Sequence, residues 1–135
     1  MKITVTAMID KPVEFVYQTY NDPKQVKFWN HASDDWHSPS ARADFKVGGR
    51  FSYRMEAKDG TDGFDFEGTY RVITKEHINY IMDDNREVDI YFHGHGHHTH
   101  LDVIFDAENT YPAEFQKAGW QAILDNFKAY CESLK

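Results

Sequence analysis

Val88-Asp89-Ile90-Tyr91-Phe92-His93-Gly94-His95-Gly96-His97-His98-Thr99-His100-Leu101-Asp102-Val103-Ile104-Phe105 alternates apolar and polar residues on both sides of a glycine-bearing turn. Strand side chains alternate between two faces, so this pattern reads as a hairpin with one buried side. Placing the turn at His95-Gly96 pairs Gly94 with His97, His93 with His98, Phe92 with Thr99, and Ile90 with Leu101. That register keeps Val88, Ile90, Phe92, Thr99, Leu101, Val103 and Phe105 together on the inner face. A slip of one residue would carry histidines into the core.

Upstream, the same parity continues through three more runs. Phe51, Tyr53 and Met55 share a face opposite Arg50, Ser52, Arg54 and Glu56. After the turn at Lys58-Asp59-Gly60-Thr61, Phe64, Phe66, Gly68, Tyr70 and Val72 return on that face. Thr74-Lys75-Glu76 then leads into Ile78, Tyr80 and Met82, and Asp83-Asp84-Asn85 turns back toward Val88. At the start of the chain, Ile3 to Ile9 alternates as a first strand. Asp10 is expected to cap a short helix with Pro12 in its first turn and with Val13, Val16, Tyr17 and Tyr20 on its apolar side. Asn21-Asp22-Pro23 restarts a second brief helix carrying Val26. From His31 to Ala43 the composition turns polar and irregular, and the segment reads as a loop.

Downstream of the hairpin lies a long amphipathic helix. Thr110 offers an N-cap oxygen, Pro112 fits the first turn, and the expected buried stripe is Phe115, Trp120, Ile123, Leu124, Phe127, Cys131 and Leu134. Such a helix can hide its stripe only against the apolar side of the sheet. Gly119 inside it costs about 1 kcal/mol relative to alanine, which suggests a close approach to the helix backbone. The fold class is therefore α+β: a curved antiparallel sheet of six strands wrapped on one long C-terminal helix, with two short helices after the first strand.

The chain of 135 residues is read as one domain, residues 1–135. Hydrophobic residues make up 41% and aromatic residues 16% of it, which describes a folded globule rather than a disordered chain. A net charge of -7 without a basic cluster argues against a nucleic-acid partner. No apolar run approaches the roughly 20 residues that cross a bilayer, and Met1-Lys2-Ile3-Thr4-Val5 does not read as a secretory leader. The single cysteine, Cys131, excludes an internal disulfide and fits a reducing cytoplasm. Facing the core, its thiol reads as an apolar filler.

Asp22-Pro23 before Trp29, Asp44-Phe45-Lys46-Val47-Gly48-Gly49-Arg50-Phe51, Asp59-Gly60, Gly68-Thr69-Tyr70-Arg71-Val72-Ile73, and Gly119-Trp120 with Leu124-Asp125-Asn126-Phe127 occur in a characteristic order. In that order the chain resembles the small bacterial proteins homologous to the activator of Hsp90 ATPase, within the START and Bet v 1-like (SRPBCC) superfamily. The resemblance spans nearly the whole chain and implies the helix-grip fold. Two features depart from the family pattern. Thr74-Lys75-Glu76 stands where many relatives carry a proline, and the histidine-rich hairpin is private to this chain. Similarity to one co-chaperone domain does not carry that domain's function.

A helix-grip fold leaves a space between sheet and helix. Its expected lining is Trp29, Phe45, Phe51, Tyr53, Met55, Phe66, Tyr70, Tyr80, Phe92, Trp120, Leu124 and Phe127. Rings with a few hydroxyls and an indole N–H are the usual chemistry of small-molecule binding. The expected function is binding of a small, largely hydrophobic or aromatic ligand, with no cofactor and no catalytic residue assigned. One alternative is an enzyme resembling the superfamily's cyclases and hydratases, and another is a chaperone-interaction module. A homodimer is left open. On the outer face, His93, His98 and His100 would be the ligands of any metal, although an exposed hairpin rich in histidine is first of all a solvated tip. The His31, Asp34, Asp35, Trp36, His37 loop lacks a nucleophile motif and reads as solvated.

Overall fold

The computed structural model describes residues 1–134. In chain order the elements are β1 (Lys2–Ile9), α1 (Val13–Asn21), α2 (Pro23–Val26), β2 (Trp36–His37), β3 (Ala41–Ala43), β4 (Arg50–Ala57), β5 (Gly63–Ile73), β6 (His77–Met82), β7 (Glu87–His95), β8 (His98–Asp106) and α3 (Ala113–Ser133). All strand pairs are antiparallel, in the order β1-β8-β7-β6-β5-β4-β2, with β3 also on β4. This is the expected curved sheet with a long terminal helix. Among the described residues it has eight strands rather than six, because β2 and β3 form inside the segment read as a loop. Those two strands are short, and two or three residues are too few for side-chain alternation to register in sequence.

The hairpin of β7 and β8 keeps the expected faces but moves by two residues. Phe92 pairs with Leu101, His93 with His100, and His95 with His98, so the turn is Gly96-His97. Gly96 takes a left-handed φ of 75° at the first turn position, the arrangement a type II′ hairpin requires. A shift of two preserves parity, so Val88, Ile90, Phe92, Thr99, Leu101, Val103 and Phe105 are all buried. In β5 parity breaks after Tyr70. Tyr70 pairs with Tyr80 but Val72 with Asn79, so Arg71 is bulged and Val72 turns outward.

Helix starts also differ from expectation. Pro12 and Pro112, not Asp10 and Thr110, occupy the N-cap positions, and neither is capped by a side chain. Asp22 does cap α2, accepting from the Lys24 N–H at 3.0 Å. In α3, Leu124, Phe127 and Cys131 are buried, but Phe115 is 64% exposed, and Gln116 is buried in its place. A Cβ built on Gly119 would meet nothing within 4 Å among the described residues, so no close approach explains that glycine.

How α3 is fastened decides the interior. β1 is an edge strand, and α3 serves its free polar groups. Gln121 donates from Nε2 to the Thr6 carbonyl at 2.8 Å and accepts from the Thr6 N–H at 3.3 Å. Lys128 Nζ donates to the Met8 carbonyl at 2.5 Å, and Glu132 accepts from the Asp10 N–H at 2.8 Å. The edge is thereby covered rather than left to template another strand. Pinned along β1, the helix crosses the concave face and stands off from β4, β5 and β6, where only large side chains bridge the gap.

Candidate functional site

That gap is a space of about 460 Å³ between sheet and helix. Phe51, Tyr53 and Met55 from β4, Phe66 and Tyr70 from β5, and Tyr80 from β6 supply its sheet wall. Trp120 and Leu124 supply the helix wall, and Trp29, just after α2, closes one side. Along the sheet wall Phe51 lies 4.7 Å from Tyr80 edge to face, and across the space Phe66 lies 6.0 Å from Trp120. Trp120 itself stacks on Phe105 at 4.0 Å and 9°, which fixes its plane.

Gly68 makes room for this wall. It pairs with Phe51, whose ring lies directly over it, and a Cβ there would fall 2.9 Å from Phe51 Cε1. The Phe51 ring can lie flat on the strand only because position 68 has no side chain.

Three residues expected in the lining are elsewhere. Phe45 is 38% exposed on the loop before β4 and packs edge-on against Tyr70 from outside. Phe92 is buried against Tyr17 and Tyr20 under α1. Phe127 is filled in behind Trp29 and Tyr20, at 5.0 Å from each. Strand parity correctly turns Phe92 inward and helical spacing Phe127, but Tyr17, Tyr20 and Trp29, rather than open space, cover them. Conversely, Tyr20, Asn21, Asn30, Phe64, Arg86, Glu108 and Tyr111 border the space without having been singled out. Phe64 and Tyr111 are both largely exposed and flank its mouth. Arg86 was legible, since it shares the parity of Val88 and Ile90. Glu108 and Tyr111 follow the last strand, where no periodicity speaks.

The polar groups of the wall are unusual for so apolar a lining. Burial pushes the hydroxyls of Tyr20, Tyr53, Tyr70 and Tyr80 above the ordinary phenol value, and the Tyr53 and Tyr70 hydroxyls interact. All four remain neutral at physiological pH and serve as donors or acceptors rather than bases. Trp29 is 3% exposed and its Nε1 has no partner among the described residues. Arg86, held after the Asn85 turn (φ 71°), donates from Nε to Asp84 Oδ2 at 2.8 Å. Its Nη1 lies 3.7 Å from Glu108 Oε2. Glu108 is positioned by Gln116, which accepts from the Glu108 N–H at 2.9 Å and donates to the Glu108 and Tyr111 carbonyls.

The histidines stay outside. His100 Nε2 is 2.8 Å from Asp102 Oδ1 and His93 Nε2 is 3.5 Å from Asp102 Oδ2, while His98 stacks on His95. Among the described residues, no group of three His, Cys, Asp or Glu side chains converges in a way that would hold a metal ion. His37 lies 3.7 Å from Glu56 at the surface and does not reach the space. No helix among the described residues is long and apolar enough to cross a membrane.

A curled antiparallel sheet gripping a C-terminal helix, with short helices after the first strand, defines the helix-grip class of START and Bet v 1-like proteins. Residues 10–132 match the family described as Activator of Hsp90 ATPase homolog 1-like protein, and the chain belongs to it. The AHSA1-like protein from Aeromonas hydrophila is 47% identical, with a TM-score of 0.91 over 98% of this chain and 93% of that one. Chr148 from Cytophaga hutchinsonii is 42% identical, with a TM-score of 0.85 over 98% and 92%. CV1439 from Chromobacterium violaceum, at 22% identity and a TM-score of 0.83 over 98% of both chains, shares the fold. No curated protein matches the sequence.

Proposed function

We propose that the protein binds a small, largely hydrophobic or aromatic molecule in the space between the sheet and α3, without catalysing its conversion. The observation that carries this reading is the volume of about 460 Å³ walled by Phe51, Tyr53, Phe66, Tyr80 and Trp120. Ligand pockets typically occupy about 300–1,000 Å³ and combine apolar walls with a few polar groups. Close packing is the rule for interiors, so a gap of this size kept open by aromatic rings calls for an occupant. Burial of apolar surface would supply the affinity at about 25 cal/mol per Å², less the cost of ordering the guest. Met55 and Leu124 add adaptable surface, while the tyrosine hydroxyls orient the guest.

The enzyme alternative draws on Arg86 and Glu108, the ionisable groups at one end of the space. It requires one of them to exchange a proton with a substrate. Their mutual ion pair makes them orienting groups in the reading favoured here. The chaperone-interaction alternative rests on family resemblance alone. As further parts of the same proposal, the protein acts in the cytoplasm, takes no nucleic acid and needs no cofactor. Native mass spectrometry of freshly purified protein tests the reading. A retained small molecule, lost on denaturation, supports it. Apo protein that also fails to take up any hydrophobic or aromatic probe refutes it.

A further inference from the structure

We infer that the end of the space where Arg86 meets Glu108 selects guests that present a neutral hydrogen-bond donor, a hydroxyl or N–H on an apolar or aromatic body, and rejects aromatic carboxylates. This rests on the binding reading above and adds to it the chemistry of the guest.

The argument starts from unmet hydrogen bonds. Glu108 Oε2 faces Arg86 Nη1, but Glu108 Oε1 is buried without any partner among the described residues. A carboxylate only accepts, so what is missing there is a donor. A buried acceptor without one is costly, and a charge-assisted bond from a guest removes that cost. Among the described residues, no protein donor reaches Glu108 Oε1. The nearest cation, Arg86, already engages Asp84 through Nε and Glu108 through Nη1. Gln116 spends both donor contacts on the Glu108 and Tyr111 carbonyls.

Charge points the same way. Two carboxylates, Asp84 and Glu108, share the single guanidinium, so this end carries net negative charge. An anionic guest would meet Glu108 with no free cation to balance it, which is unfavourable in a partly dehydrated site. Along the walls, the tyrosine hydroxyls are held neutral by burial and impose no charge requirement of their own. Trp29 Nε1, the other orphan in the wall, donates only and asks for a neutral acceptor elsewhere on the guest.

Isothermal titration of naphthol, uncharged at neutral pH, and naphthoate, anionic there, into the wild-type protein and Glu108→Gln decides the matter. The wild type is expected to take naphthol at least about tenfold more tightly than naphthoate, the scale of one hydrogen bond to a charged group. In Glu108→Gln, naphthol weakens and naphthoate strengthens, so the ratio closes from both sides. The gain for naphthoate is a result that misfolding does not produce. Equal wild-type affinities, or an unchanged ratio in the variant, overturn this assignment and leave the binding reading standing. Failure of both probes to bind the wild type overturns the binding reading and this assignment with it.

Discussion

Replacing Gly68 by alanine tests how the interior is kept open. The added Cβ would sit 2.7 Å from the Ile81 carbonyl oxygen and 2.9 and 3.0 Å from the edge of the Phe51 ring. Neither neighbour yields easily. Ile81 belongs to β6, which is paired on both sides, and Phe51 is boxed by Tyr53, Tyr70 and Tyr80 at centroid distances of 5.1, 5.3 and 4.7 Å. The ring's remaining freedom is toward the helix, into the space itself. Overpacking of this kind costs about 1–3 kcal/mol, partly offset by the lower backbone entropy of alanine in a strand. For a domain of this size the melting temperature should fall by about 3–12 °C. Circular dichroism melts measure it, and calorimetric titration of a bound aromatic probe should show weaker affinity in the same variant. A melting temperature unchanged or raised, with affinity intact, would refute the claim that a missing side chain at position 68 holds the wall in shape.

Leu124→Ala should cost about 2–5 kcal/mol in a urea unfolding series while enlarging the space, so bulkier aromatic probes should lose less affinity than small ones. Burial pushes the Cys131 thiol up to about 11, so a thiol reagent at neutral pH should label it only after unfolding, and rapid labelling of native protein would contradict its placement. The Asp106 carboxyl is held below its ordinary value of 3.8 by the Glu87 backbone N–H and by Lys2. Because its folded value is depressed, its contribution to stability is complete above 3.8 and vanishes as pH falls through the lower folded value. Melts of Asp106→Asn against wild type should therefore differ at neutral pH and converge in acid. Tyrosines 53 and 80 have folded values raised above 10, so stability should decline as pH rises past 10, and ultraviolet titration should show their ionisation only with unfolding.

Side-chain parity carried most of this fold. Ile90, Phe92, Leu101 and Val103 face inward after any shift by an even number of residues, so the two-residue shift at Gly96 changed which residues pair across the hairpin but not which of them are buried. Parity failed at Val72, because a bulge at Arg71 has no sequence marker beyond the strand itself. It also could not tell an inward ring that borders open space from one that is covered. Phe51 and Phe92 look alike in sequence, but α1 lays Tyr17 and Tyr20 over Phe92, and that depends on helix placement. The polar end of the site was half legible. Arg86 follows from alternation, whereas Glu108 depends on the clamp formed by Gln116, a polar residue buried where Phe115 was expected. A buried glutamine at the start of an amphipathic helix reads as a surface residue until its backbone partners are seen.

Intermolecular nuclear Overhauser effects between bound naphthol and the protein's methyl groups test the main claim most directly. Contacts to the Leu124, Ile123 and Met55 methyls, all of which border the space between sheet and helix, are the predicted result. Contacts confined to the outer face around His93, His98 and His100, or shift changes that spare all three methyls, would contradict it.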